Sequence, residues 1–84
     1  MIDDKYRCHI CGRTGMLQKH HCLHGSRRKA ADRHDLTVWL CLHCHQELHD
    51  HGVCDLQLEQ EAQRYFEEKY GHEQYMNEFG KNYL

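Results

Sequence analysis

Two CxxC pairs constrain this chain more than any other feature. Cys8-His9-Ile10-Cys11 and Cys41-Leu42-His43-Cys44 are separated by 29 residues. Thiolates at i and i+3 of a tight turn grip one metal ion, and two such knuckles complete a tetrahedral four-sulfur site. Zinc is the expected ion; iron in a rubredoxin-like arrangement takes the same ligands. A chain of 84 residues is one small domain, and one this short buries only about 60% of its surface on folding. Structural zinc, at on the order of 10–16 kcal/mol of folding free energy, is expected to make up the deficit. The other cysteines, Cys22 and Cys54, have no ligand-like spacing and read as reduced, buried thiols. The start, Met-Ile-Asp-Asp-Lys-Tyr, is acidic and lacks the apolar region of a signal peptide. With no transmembrane run either, the cysteines are expected to serve a metal rather than disulfides.

Charge divides the chain. Residues 1–52 hold eight Lys/Arg, six Asp/Glu and nine histidines; residues 53–84 hold three Lys/Arg and seven Asp/Glu. The first part is therefore at +2 and the second at −4. The overall −2 argues weakly against nucleic acid, but the distribution answers that objection. Arg27, Arg28, Lys29 and Arg33 stand close to the pair His20-His21 and suit a phosphate-facing site, with a solvated acidic helix behind it.

There is no proline, repeat or low-complexity linker. Residues 8–15 form the first knuckle and its turn. Residues 16–23 read as a strand and residues 24–35 as a polar loop with room for a short helical turn. Residues 36–40 read as a second, apolar strand leading into Cys41, and residues 44–50 as a short helix. Asp55 is a plausible N-cap for a helix to about Lys69, with Leu56, Leu58, Ala62, Tyr65 and Phe66 as its apolar side. Tyr70-Gly71 ends it, and a last helix spans about residues 72–79 with Tyr75, Met76 and Phe79. These aromatics are expected to pack against the cysteine knot. The chain thus divides into a core, 1–52, and a helical C-terminal extension, 53–84.

A second set of donors surrounds the cysteines. His45 and His49, at i and i+4 of the short helix, share one face and make a bidentate grip. His20 and His21 are neighbours on a strand and point to opposite faces, so one can hold a metal while the other points elsewhere, unless a bend or bulge at the strand end brings both to one site. His20, His45 and His49 together offer three nitrogens and leave positions open, the layout of a catalytic metal. Imidazole ligands favour Zn²⁺, Ni²⁺, Co²⁺ or Mn²⁺ over Mg²⁺ as the tightest binder.

CxxC, then His-His at a strand end, then a loop, then Leu-Cys-x-x-Cys-His-x-x-x-His resembles the HNH endonucleases, the ββα-metal or His-Me finger nucleases, in their form with a four-cysteine zinc knot. The resemblance covers about residues 8–51. The C-terminal part, with Ala62-Gln-Arg, Phe66-Glu-Glu-Lys and Phe79-Gly-Lys-Asn-Tyr-Leu, is similar to small prophage-encoded HNH-like proteins. The fold implied is a small α+β zinc-bound domain with a ββα-metal, treble-clef-like core and C-terminal helices. By position, His21 matches the family's general base and His20 the metal ligand before it. His45 and His49 match the ligands on the helix, with His51 as an alternative to His49, and Cys8, Cys11, Cys41 and Cys44 match the knot. The family's middle residue, usually Asn, falls at Leu36, with His34, Asp35 and Thr37 nearby. His24 and His34 are the next candidates for the base.

The implied activity is metal-assisted hydrolysis of DNA phosphodiester bonds. It would use structural Zn²⁺ and a second divalent ion (Zn²⁺, Ni²⁺, Mn²⁺ or Mg²⁺), with Arg27, Arg28, Lys29 and Arg33 on flanking phosphates. The expected setting is the cytoplasm of a bacterial or phage-infected cell, away from membranes. Two other readings stand beside it: a zinc-dependent nucleic-acid-binding module of phage origin that does not cut, and a phage protein that binds a host protein through its acidic helices.

Overall fold

The computed structural model describes residues 5–84, so most of the acidic start lies outside the described residues. The two predicted strands form an antiparallel pair, β1 (Leu17–His21) and β2 (Thr37–Cys41), with Leu17 opposite Cys41 and His21 opposite Thr37. The first is shorter than the 16–23 read from the sequence and the second is shifted by one residue from 36–40; beyond the last pair, His21 with Thr37, Cys22 N–H donates to Leu36 O at 3.1 Å. His20 lies opposite Val38 and Lys19 opposite Trp39. Cross-strand partners share a face, so His20 points with buried Val38 and His21 points away from them.

The stretch 24–35 is not a plain loop. A 3-10 turn over Gly25–Arg27 runs into a helix, α1 (Arg28–Arg33). Its two alanines, Ala30 and Ala31, are buried, and that small apolar side is what turns a polar segment into a helix. Asp35 then takes a left-handed conformation (φ 56°), and Leu36 N–H donates to Ala31 O at 2.8 Å, which reverses the chain into β2.

The next helix, α2 (Leu42–His51), starts two residues earlier than expected because Cys41 caps it: the Cys44 N–H points at Cys41 Sγ, 3.4 Å away. Gly52, left-handed at φ 68°, ends it, where a Cβ would be strained. The chain then enters α3 (Asp55–Tyr70) through Cys54, also left-handed at φ 63°. Cys54, not Asp55, is the N-cap, and Asp55 is the first helical residue. The tight Gly52–Cys54 turn moves the cap back one residue, as Asp55 N–H donates to Gly52 O.

Leu58, Ala62 and Phe66, at i, i+4 and i+8, carry the buried side of α3, with Gln63 beside them. Leu56 does not belong to it and is 56% exposed: two residues from Leu58, it sits about 200° round the helix. The last helix, α4 (His72–Phe79), follows Gly71 and returns over α3. Phe66, Tyr75 and Phe79 stack on one another, with Phe66 perpendicular to Phe79 at 5.2 Å between ring centres. Tyr70 lies beside Phe66 at 4.7 Å, and His34 is edge-on to Phe66 at 5.0 Å. The aromatics thus meet the end of α1 directly, and belong to one buried cluster that also includes Cys8, Cys41 and Cys44. Gln63 secures the C-terminal tail, accepting from Tyr83 N–H and donating to Asn82 Oδ1, both at 2.7 Å.

Among the described residues the domain is α+β, with one two-stranded sheet and four α-helices. Among the described residues, no helix is long and apolar enough to cross a membrane. Phe66 is 1% exposed at the centre of the aromatic cluster. Phe66→Ala should therefore cost about 3–5 kcal/mol, read as a lower urea midpoint in unfolding followed by circular dichroism.

Candidate metal centre

The first knuckle is built by its own turn. Cys8 N–H donates to Arg13 O, Gly12 N–H donates to Cys8 O, and Gly12 is left-handed at φ 77°. His9 N–H donates to Trp39 O at 2.8 Å, which ties the turn to β2. The second knuckle spans the end of β2 and the first turn of α2. The sulfurs of Cys8, Cys11, Cys41 and Cys44 all lie within 4.8 Å of one another, three of the residues buried and Cys11 exposed. Cys11 Sγ and Cys41 Sγ are 3.7 Å apart, far beyond a disulfide bond. Two sulfurs held tetrahedrally at about 2.3 Å from one zinc stand about 3.8 Å apart. The set fits a structural metal such as zinc.

The thiols are electrostatically unequal. Burial pushes the Cys8 thiol up, but hydrogen bonds from the amides of Cys11, Cys41 and Ile10 outweigh it and bring it to about 6. Burial, together with the neighbouring cysteines, pushes Cys44 far up. A cation at the centre reverses that penalty, since metal binding needs the thiolates.

The second cluster lies between β1 and α2. His20 is 2% exposed, and its Nε2 is buried without a hydrogen-bond partner. His45 and His49 face it from α2, with ring centres at 5.2 and 5.5 Å. His49 Nε2 is 3.0 Å from His45 Nε2, close to the roughly 3.3 Å between two nitrogens on one tetrahedral ion. His45 Nδ1 lies 2.6 Å from Gln18 Oε1. As the donor to that oxygen it leaves Nε2 with its lone pair toward the cluster. Donor atoms of His20, His45 and His49 lie within 4.8 Å of one another. Burial, then the nearby His24, His45 and His49, lowers His20 to about 4; burial and then His49 also lower His45. Both shifts favour the neutral imidazole, the form that ligates a metal.

His21, on the opposite face of β1, has Nε2 3.3 Å from Asp32 Oδ1, and Lys19 reaches the same oxygen at 3.4 Å. These two partners, His21 first, hold the Asp32 carboxyl below its usual range. His20, His21, His24, His45 and His49 nevertheless line one cleft, together with Arg28. His51 is exposed at the end of α2 and belongs to neither metal group.

The basic residues divide. Arg28 and Lys29 flank the surface beside His21 and Asp32. Arg27 Nε donates to Phe79 O at 3.0 Å, and Arg33 reaches Glu78 at 3.4 Å, so both brace α4 against α1. The acidic helices are likewise not simply solvated: Glu61 bonds His9 at 2.9 Å, Asp55 bonds His24 at 2.8 Å, and Glu78 lies 3.5 Å from His34. His34 is directed into the aromatics, away from the histidine cleft. Leu36, where the resemblance to the HNH endonucleases would place an Asn, is fully buried. Cys22 is buried as expected, whereas Cys54 is only half-buried.

His24 and Asp55 are what sequence reasoning undervalued. His24 was a spare base and Asp55 a helix cap, yet donor atoms of His20, His24 and Asp55 form a second group within 4.8 Å. Their contact spans 31 residues of chain, a separation no local spacing rule reaches.

Two outcomes test the assignments. Cys41→Ser should release the tightly held metal and abolish the native near-UV dichroism, whereas His49→Ala should keep both and lose only a weaker divalent ion in a titration. His20 is neutral in the fold and titrates near about 6.5 once unfolded. Its contribution to stability is therefore complete above that value and is lost as pH falls from there to about 4. The urea midpoint should be lower at pH 5 than at pH 7.5, and His20→Ala should flatten the difference.

Comparisons with family models, curated proteins and solved structures return no match for this chain.

Proposed function

We propose that this protein is a metal-dependent nuclease of the HNH type, built on a ββα-metal core. The observation that carries the reading is the buried, unpartnered His20 Nε2 aimed at His45 and His49, with a histidine–carboxylate pair on the next residue. Leaving a buried nitrogen unbonded costs about 1–3 kcal/mol, and a cation removes that cost. His20, His45 and His49 would hold it. When bound, a divalent ion polarises the phosphoryl group and stabilises charge developing on the leaving oxygen.

The chain's own residues supply the rest. Asp32 accepts from His21 Nε2–H and keeps the proton there, which leaves Nδ1 free as a base toward water. Water that loses its proton to His21 attacks the phosphorus of a phosphodiester in the cleft. Arg28 and Lys29 lie on that side and are suited to the flanking phosphates; Arg27 and Arg33 serve α4 in the fold described and are weaker candidates.

One observation favours a second reading, a zinc-dependent module that binds nucleic acid without cutting it. Leu36 is apolar and buried where the family has a polar positioning residue.

Plasmid nicking with Mg²⁺, Mn²⁺ or Ni²⁺ and an EDTA control separates the two. Cutting is expected, and His21→Ala should reduce it by about 10²–10⁴-fold while DNA affinity stays within a few fold. DNA binding without cutting under every metal favours the binding module. Replacing Arg28 and Lys29 by Ala should weaken binding to any sequence and lower the salt slope by roughly two charges.

A further inference from the structure

His24 and Asp55 stand against the histidine cluster without being part of the grip described above. His24 immediately precedes the 3-10 turn and forms no capping bond with its side chain. Its ring centre is 5.4 Å from that of His20 and 6.4 Å from that of His49. Nε2 lies 2.8 Å from Asp55 Oδ1 on the first residue of α3. His20, His24 and Asp55 therefore close on one point from three separate pieces of chain: the strand, the turn and the C-terminal extension. His20, the member shared with His45 and His49, is the residue whose buried nitrogen has no partner.

The geometry points to a second position for a divalent cation, formed by His20, His24 and Asp55, that excludes occupation of the three-histidine position. The inference rests on the reading of the cluster as a metal centre, but not on its cutting anything. Exclusion follows from valence: a neutral imidazole has one lone pair to give, so His20 serves one ion at a time. Selectivity follows from the donors. Three imidazoles suit Ni²⁺ and Zn²⁺, whereas a set with a carboxylate suits a harder ion such as Mn²⁺. The ion would replace the direct His24–Asp55 bond with a bond to each, so the tether between turn and α3 survives loading. Which ion is bound then decides whether His20 works with α2 or with α3.

The test uses the full chain with its cysteine-held zinc in place and reads binding directly. Mn²⁺ uptake is followed by loss of the free-ion signal in electron paramagnetic resonance, and Ni²⁺ uptake by calorimetry. In the wild type the two ions should displace each other one for one. Asp55→Asn keeps an oxygen for His24, so the fold is preserved. It should weaken Mn²⁺ by at least about tenfold and leave Ni²⁺ within a few fold. His49→Ala should do the reverse, and His20→Ala should weaken both. His24→Ala is the second variant, expected to behave as Asp55→Asn, and near-UV dichroism accompanies each. Simultaneous binding of Mn²⁺ and Ni²⁺ overturns the proposal, as does Mn²⁺ binding indifferent to both Asp55→Asn and His24→Ala. Equal loss of both ions in Asp55→Asn also overturns it, because it means one merged site. A wild type that takes up neither ion overturns the metal centre itself. A wild type that binds as described yet never nicks DNA sinks only the nuclease reading.

Discussion

The four sulfurs of Cys8, Cys11, Cys41 and Cys44 join two pieces of chain that little apolar surface would otherwise hold together. The first knuckle brings almost nothing else to the core: between Tyr6 and Met16 only Cys8 is buried. Its amide bonds to β2 position it, but four convergent thiols without a cation are a poor substitute for a core, with one thiol drawn down to about 6 and another pushed far up. A metal ion converts that tension into bonds. β2 ends, and α2 begins, on one of its ligands.

From that junction the histidine cluster follows by geometry alone. The antiparallel register gives His20 the face of Val38, and the helical repeat of α2 stacks His45 over His49 toward it. His21, one residue on, is turned to α1 and Asp32. A single pleat thus separates two kinds of histidine chemistry, a buried nitrogen without a hydrogen-bond partner and a half-buried one with a carboxylate partner. The acidic extension is fastened across the same region through Glu61, Asp55 and Glu78, each to a different histidine of the core.

Much of this was legible in the sequence because it depends on short spacings. CxxC, His-His on a strand and His-x-x-x-His on a helix each encode their geometry within five residues. All three came out as read, apart from strand ends and helix starts. The parts that were not legible depend on distant contacts. Two buried alanines make a helix of residues 28–33. Leu56 fails to join the buried side of α3 by a difference of two positions. Asp55 gives its cap role to Cys54 because the left-handed turn before it is shorter than a polar cap suggests. That Arg27 and Arg33 also reach α4, at Phe79 O and Glu78, was hidden in the same way.

Cys41 has three tasks in one side chain and backbone: the last rung of the sheet opposite Leu17, the cap of α2, and a corner of the sulfur cluster. The helix that carries His45 and His49 is therefore oriented by a residue of the other centre. If, as proposed, an ion fills each, the two sites form a hierarchy rather than a pair: the helix that carries His45 and His49 starts on a member of the sulfur cluster, so the imidazoles have no fixed places until the sulfurs are gathered. A chain whose sulfur site stayed unfilled would then be unable to hold the second ion however abundant it was, and supply of the first ion would set the order of loading.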